Sequence, residues 1–229
     1  STYGDITFKK CSFPEITTIS ERAFESALGN ITFTNNRFPK LTQFNKNSFF
    51  GISKEETDIT FTKNDFPKLT TISDFAFKNA RGNISFVENN FPKLTTISDF
   101  AFESVFGNIK FEGNLKSLTD ILADAFFYVQ GNITFTASSL RVEDPSMGNL
   151  FPKFTSNAID ENAFRDVTGN ITFIGKVAGT HMTGEYAFVN NIRKGEIVHI
   201  VNSKKNVLRK KNVLLEVTEK ISDEDMVVA

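Results

Sequence analysis

The sequence predicts an α/β solenoid, a stack of short repeats whose strands line up in one parallel sheet. Three observations carry this. An Ile-x-Phe triplet recurs with its first residue at positions 6, 31, 59, 84, 109, 133 and 171, at spacings of 25, 28, 25, 25, 24 and 38. A second motif, Phe-Pro-x-Leu-Thr-x-Ile then Ala-Phe, runs in phase with the first, as in Phe66 to Ile72 with Ala76-Phe77 and Phe91 to Ile97 with Ala101-Phe102. Phe supplies 26 of the 229 residues while Tyr numbers 3 and Trp is absent, the bias expected when one core position is copied many times.

Each element follows from the pattern in order. Ile-x-Phe alternation is a short strand that points two residues inward and the residue between them outward. The best copies read Gly29-Asn30-Ile31-Thr32-Phe33 and Gly82-Asn83-Ile84-Ser85-Phe86, and a degraded eighth copy is expected from Gly195-Glu196-Ile197. Three residues after the strand Phe stands an Asn, at Asn36, Asn64, Asn89 and Asn114. An inward amide there can satisfy backbone groups where the strand turns away. The Pro that follows fixes an extended segment. Ser20, Ser73 and Ser98 precede the Ala-Phe pairs by three residues and fit N-caps of one short helical turn. One repeat cannot bury its own apolar face, so the copies must stack.

Joined, the unit IxFxxNxFPxLTxIxxxAF resembles the leucine-rich repeat, whose core is LxxLxLxxNxL. In the second copy Leu28, Ile31, Phe33, Asn36 and Phe38 match it with every spacing kept. The resemblance covers roughly residues 3 to 203 and departs from the family in using Phe and Ile where Leu is usual. Its Ala-Phe ending is shared with animal extracellular and bacterial surface members, and the period and Asn position point to the animal type, arthropod proteins included. The resemblance implies a right-handed solenoid, with the parallel sheet on a concave face and short helical or irregular segments on the convex one.

Domain boundaries follow from where the pattern breaks. Residues 1–203 form the solenoid of about seven to eight repeats, with an insertion near 137–150 that includes Pro145 and Gly148. Residues 204–229 are expected to form a C-terminal cap hairpin, built from Val207-Leu208 and Val213-Leu214-Leu215, and an acidic tail. The chain opens on Ser with no charged-then-apolar leader and reads as a processed or fragmentary chain.

Composition narrows function. With 26 Lys plus Arg against 27 Asp plus Glu, the formal charge of −1 leaves no basic excess for nucleic acid or an anionic membrane surface. No apolar run reaches the roughly 18 residues that cross a bilayer. Neither His181 nor His199 sits at a metal-ligand spacing, so no metal is expected. Cys11 is the only cysteine, which excludes an internal disulfide. It takes the place other repeats give to Asn and is expected to be a buried structural thiol. Gly175 to Thr180 lacks the order of a phosphate loop, and no two carboxylates are brought together for acid–base work. The chain is therefore expected to be no enzyme and to need no cofactor. The basic group Lys204, Lys205, Arg209, Lys210 and Lys211 reads as a solvated cap ahead of a glycan site.

The expected function is a non-enzymatic binding module for a protein or glycan partner. Its candidate surface is the outer face of the sheet: Asn30, Thr32, Thr34, Asp58, Thr60, Thr62, Asn83, Ser85, Asn108, Lys110, Glu112, Asn132, Thr134, Thr136, Asn170 and Thr172. Eight strands would span roughly 35 to 40 Å, enough for a contact of about 800 Å² per side. The alternative is a structural or accessory subunit of an extracellular assembly. Ice binding is remote because Val87, Lys110 and Glu112 interrupt the Thr rows. Asn30, Asn83, Asn132 and Asn170 each open an acceptor sequon, which together with the resemblance predicts a secreted glycoprotein, glycosylated most readily at Asn30.

Overall fold

The computed structural model describes residues 4–52, 57–137, 159–160, 162–174, 198–201, 207–210 and 213–216. In chain order the strands are β1 (Ile6–Lys9), β2 (Thr18–Ile19), β3 (Ile31–Thr34), β4 (Gln43–Phe44) and β5 (Ile59–Thr62). Then come β6 (Thr71–Ile72), β7 (Ile84–Asn90), β8 (Thr96–Ile97), β9 (Ile109–Asn114) and β10 (Asp120–Ile121). The last are β11 (Ile133–Ala137), β12 (Ile171–Ile174), β13 (Val198–Val201), β14 (Val207–Lys210) and β15 (Val213–Glu216).

These strands wind into a Phe-rich β-solenoid of about five turns with two parallel sheets. The wide sheet has eight strands in the order β1-β3-β5-β7-β9-β11-β12-β13, and the narrow one has five in the order β10-β8-β6-β4-β2. Like residues pair with like: Ile6, Ile31, Ile59, Ile84, Ile109, Ile133 and Ile171 form one column, and the strand Phe residues another. A separate antiparallel pair joins β14 to β15.

The core is a set of ring stacks. Phe33, Phe61, Phe86, Phe111 and Phe135 follow one another with centroids 4.9, 4.9, 4.7 and 5.1 Å apart. A second stack runs through Phe49, Phe77, Phe102, Phe126 and Phe164 at 4.8 to 5.0 Å. The two meet edge to face, as at Phe77 and Phe86, 5.7 Å apart at 90°. Such stacked and edge-on pairs are favourable beyond the area they bury. The coil spacing of a parallel sheet matches the ring spacing, which explains why Phe recurs where a leucine-rich repeat has Leu.

The Asn column is a buried ladder. Asn36 and Asn64 sit at 1% exposure and Asn89 at 2%. The Asn64 Nδ2 donates to the Phe33 carbonyl at 2.9 Å, and that of Asn89 to the Phe61 carbonyl at 2.7 Å. Backbone N–H groups of Cys11, Asn36 and Asn64 each donate to the amide oxygen one coil on, at 2.9 Å. The thiol of Cys11 is half-buried, not buried as expected, because it ends this column in the first described coil; its Sγ lies 3.4 Å from the Lys9 carbonyl.

Three expectations need correction. There is no helix among the described residues, so the α/β leucine-rich class and the short helical turn are not supported. Where the helix was expected, Ser20, Ser73 and Ser98 open β-turns, their carbonyls accepting from the N–H of Ala23, Ala76 and Ala101 at 3.2 Å. Arg22, Phe75 and Phe100 hold φ near +56 to +59° inside these turns, which matches a type II bend and cannot begin a right-handed helix. The bends free the next backbone groups to bond across coils: Phe77 N–H donates to the Ala101 carbonyl at 2.8 Å, and Asn79 N–H to that of Glu103 at 2.9 Å.

Second, the backbone of Asn114 does not stand opposite that of Asn89, as its spacing from Phe111 predicts. The register slips between Val87 and Asn89, so Gly113 stands opposite Asn89 and Asn114 opposite Asn90. Third, the register sets Val198 opposite Ile171, the place that a copy beginning at Gly195-Glu196-Ile197 would give to Ile197. Ile197, the insertion near 137–150, His181 and the tail after Glu216 fall outside the described residues, apart from Ala137 at the end of β11.

Candidate functional site

Three surfaces run along the solenoid, and each has its own chemistry. The first is the outer face of the wide sheet. Asn30, Asn83, Asn108, Lys110 and Asn132 are exposed there, and Thr32, Thr34, Asp58, Thr60, Thr62, Ser85, Glu112, Thr134, Asn170 and Thr172 are half-buried. Thr136 belongs to the same row, in register with Glu112, but is only 3% exposed and so leaves the set of accessible contacts. Lys110 and Glu112 form an ion pair at 2.7 Å, which fastens both side chains along one strand.

Along one edge of this face, at the residue before each strand, runs a second ladder. The Oδ1 atoms of Asp5, Asn30, Asp58, Asn83, Asn108 and Asn132 accept the backbone N–H of Asn30, Asp58, Asn83, Asn108, Asn132 and Asn170, at 2.7 to 2.9 Å. Three of the four sequon asparagines, Asn30, Asn83 and Asn132, are thus part of the fold's hydrogen bonding through their oxygens, and Asn170 joins through its backbone N–H. Ahead of each Asx except Asp58, which follows Thr57, lies a glycine in a column that lets the coils touch. A Cβ placed on Gly107 would lie 2.3 Å from the Gly82 carbonyl oxygen.

The second surface is the narrow sheet, which sequence reading did not separate from the first because its strands are two residues long. Its regularity comes from threonine. The hydroxyls of Thr42, Thr70, Thr95 and Thr119 each donate to the carbonyl of the preceding Thr in the column, at 3.1 to 3.2 Å. These hydroxyls are spent on the fold, which is why the motif keeps Thr after Leu. A shallow groove of about 370 Å³ opens beside this sheet, lined by Gln43, Asn45, Lys46, Ser73, Asp74 and Ser98 among others.

The third surface is formed by the turns, and it carries the groups the wide sheet lacks. Phe106 and Tyr128 are 41% and 46% exposed, the only large apolar side chains this open among the described residues. Phe75 and Phe100, both half-buried, stack at 5.3 Å. Lys46 and Lys78 place their ammonium groups 5.2 and 5.0 Å from the Phe75 ring, and the Arg165 guanidinium lies 4.1 Å from that of Phe127. Arg165 is held by Asp124 at 2.9 Å and Lys78 by Glu103 at 2.8 Å. Carboxylates crowd beside the aromatic pair. Burial, then the charge of Asp74, pushes the Asp99 carboxyl above its ordinary range; the Ala123 N–H opposes this, and Asp160 and Asp124 add to the rise.

The sequence missed this surface for a physical reason. Phe75 and Phe100 share one turn position in only two neighbouring repeats, Phe106 and Tyr128 have no aromatic counterpart in the others, and the Phe excess was assigned wholly to the core. Among the described residues no three His, Cys, Asp or Glu side chains converge as a metal site, and no helix is long and apolar enough to cross a membrane. Comparison of the chain with protein-family models, with curated proteins and with solved structures gives no match.

Proposed function

We propose that this β-solenoid is a secreted, non-enzymatic interaction module that binds a protein partner chiefly through its turn side. The observation that carries this reading is the combination on one side of exposed Tyr128 and Phe106, the Phe75–Phe100 stack and cations poised over rings. Aromatic residues and Arg supply most binding hot spots, because they bury large area at small entropic cost. Here Lys78 and Arg165 are already held by ion pairs, so they have little freedom left to lose on association. The Thr and Asn rows of the wide sheet offer hydrogen bonds without such anchors and serve as a secondary contact. The acceptor sequons at Asn30, Asn83, Asn132 and Asn170 support the extracellular setting; no cofactor enters the reading.

Affinity capture from the native fluid tests it. The unaltered chain should retain a protein that the Phe106→Ser/Tyr128→Ser double variant loses at least tenfold, while Thr32→Ala/Thr60→Ala has little effect. Loss confined to the wide-sheet variant would overturn the choice of surface. Retention of no protein by the unaltered chain would overturn the interaction reading in favour of a structural subunit.

A further inference from the structure

The ladder along the edge of the wide sheet needs only an acceptor oxygen at each step. Asp serves as well as Asn: Asp5 Oδ1 takes the Asn30 N–H at 2.8 Å and Asp58 Oδ1 takes that of Asn83 at 2.7 Å. The fold therefore does not require the amide nitrogen at any step. Nor does it require a hydroxyl two residues on, since Lys110 occupies that place without disturbing the pairing of β9 with β7 and β11.

Against that freedom, the sequons fall in a definite order. From β1 to β11 the steps read Asp5, Asn30, Asp58, Asn83, Asn108 and Asn132. Asn30, Asn83 and Asn132 are followed at the second position by Thr32, Ser85 and Thr134 and are acceptors. The other steps are not, for two unrelated reasons: Asp5 and Asp58 lack the nitrogen, and Asn108 is followed by Lys110. Both changes keep the ladder oxygen while removing the acceptor. Adjacent coils lie about 5 Å apart and alternate coils about 10 Å. Only the larger interval leaves room for an oligosaccharide on each site.

The geometry is compatible with occupancy. Asn30, Asn83 and Asn132 are all exposed, and their ladder bonds are accepted by Oδ1, which an N-substituted amide retains. The Asn83 Nδ2 also donates to Asp58 at 3.1 Å, a bond that its second hydrogen can keep.

We propose that this edge is a glycan ridge, with N-linked oligosaccharides on Asn30, Asn83 and Asn132 at two-coil intervals and with Asp58 and Lys110 keeping the intervening steps bare. The proposal rests on the secreted placement above. In the transfer, the Asn nitrogen attacks the anomeric carbon of a lipid-pyrophosphate-linked oligosaccharide. The new bond is Nδ2–C1, the C1–O bond breaks, the lipid pyrophosphate leaves and Nδ2 loses one proton. Transfer takes place on the extended chain, so the fold decides which pattern of glycans it tolerates. Asn170 stands one strand beyond Asn132, and chains modified at both are expected to be depleted among secreted molecules.

The test uses the full chain behind a secretory leader in eukaryotic cells, with site-resolved mass measurement before and after enzymatic deglycosylation. Glycan on Asn30, Asn83 and Asn132 is expected, with Asn108 bare. Lys110→Thr opens a sequon at Asn108, next to two occupied coils. It should gain a glycan and lose secreted yield severalfold, and Asn108→Asp in the same chain should restore the yield. Both variants lack the Lys110–Glu112 ion pair, so the comparison isolates the glycan. Bare Asn30, Asn83 and Asn132 in secreted protein would overturn the proposal, as would a glycan on Asn108 without loss of yield. Partner capture by chain made in bacteria, free of glycan, separates the two readings: its success with bare sequons elsewhere sinks the ridge alone, and its failure beside an occupied ridge sinks the interaction reading alone.

Discussion

The amide oxygen of Asn64 accepts twice from Asn36, from its backbone N–H at 2.9 Å and from its Nδ2 at 3.0 Å. Asn64 meanwhile donates its own Nδ2 to the Phe33 carbonyl, one coil back, and to the Asn89 oxygen, one coil on. One side chain thus ties three coils together where the chain leaves the wide sheet. Asn64→Ala removes these bonds and leaves buried groups on both sides unpaired. We expect a loss of about 3 kcal/mol or more, since each stranded buried group costs roughly 1 to 3. Urea unfolding followed by far-ultraviolet circular dichroism would measure it, and an unchanged midpoint would show that water replaces the amide.

Phe86 stacks on Phe61 and Phe111 at 4.9 and 4.7 Å and meets Phe77 and Phe102 edge-on. It is wholly buried in the middle of the ring column. Phe86→Ala should cost about 3 to 5 kcal/mol in the same assay. A much smaller cost would mean that the column closes over the gap.

Gly107 is required by contact, not by a special dihedral angle. An added Cβ would come within 2.4 Å of the Gly82 carbonyl carbon as well as its oxygen, and those are backbone atoms that cannot turn aside. Gly107→Ala should therefore force β9 away from β7 and cost at least about 1 to 3 kcal/mol. The cost should appear as faster amide hydrogen exchange at Ile109 and Phe111; unchanged exchange there would contradict it.

Ser48 replaces the alanine found at positions 23, 76, 101, 125 and 163, and its buried hydroxyl has no hydrogen-bond partner among the described residues. Ser48→Ala should raise stability by up to about 1 kcal/mol by relieving that group. A fall in the thermal midpoint would show that the hydroxyl is bonded after all.

Asp99 gives the solenoid a pH dependence. Its carboxyl holds its proton more tightly in the folded chain than in the unfolded one, because of burial and then of Asp74. Its contribution is thus most favourable at low pH, where both forms are neutral, and is lost as pH rises through the raised folded value. Asp99→Asn should raise the thermal midpoint at pH 7 and give no advantage near pH 3, below the ordinary 3.8. An equal gain at both pH values would assign the effect to something other than charge.

How far the sequence revealed this molecule depended on whether a feature repeats and on what its residues can signal. The Ile, Phe and Asn columns were legible because each is one residue at one phase, and stacking turns that phase directly into contact. The Ser-x-x-Ala-Phe segment was misread because Ser at its head suits an N-cap and a β-turn alike. The left-handed φ of Phe75 and Phe100 that decides between them has no mark in a residue type that rarely adopts it. Asn114 kept its spacing from Phe111 yet stands opposite Asn90 through a slip in the neighbouring strand, at Val87 and Asn89. Of the candidate surface, the sheet rows could be read from alternation, and the alternation alone concealed the burial of Thr136.

The buried amides of Asn36, Asn64 and Asn89 all point the same way, each nitrogen toward the next oxygen. Three amide dipoles laid head to tail polarise one another in surroundings of low dielectric constant, so each bond is stronger for the presence of the next. The solenoid therefore has an electrical direction along its axis, set by side chains and independent of net charge. A change at one end of this wire, such as Asn89→Asp, would be felt in the bond between Asn36 and Asn64, although Asn89 bonds only the second of them.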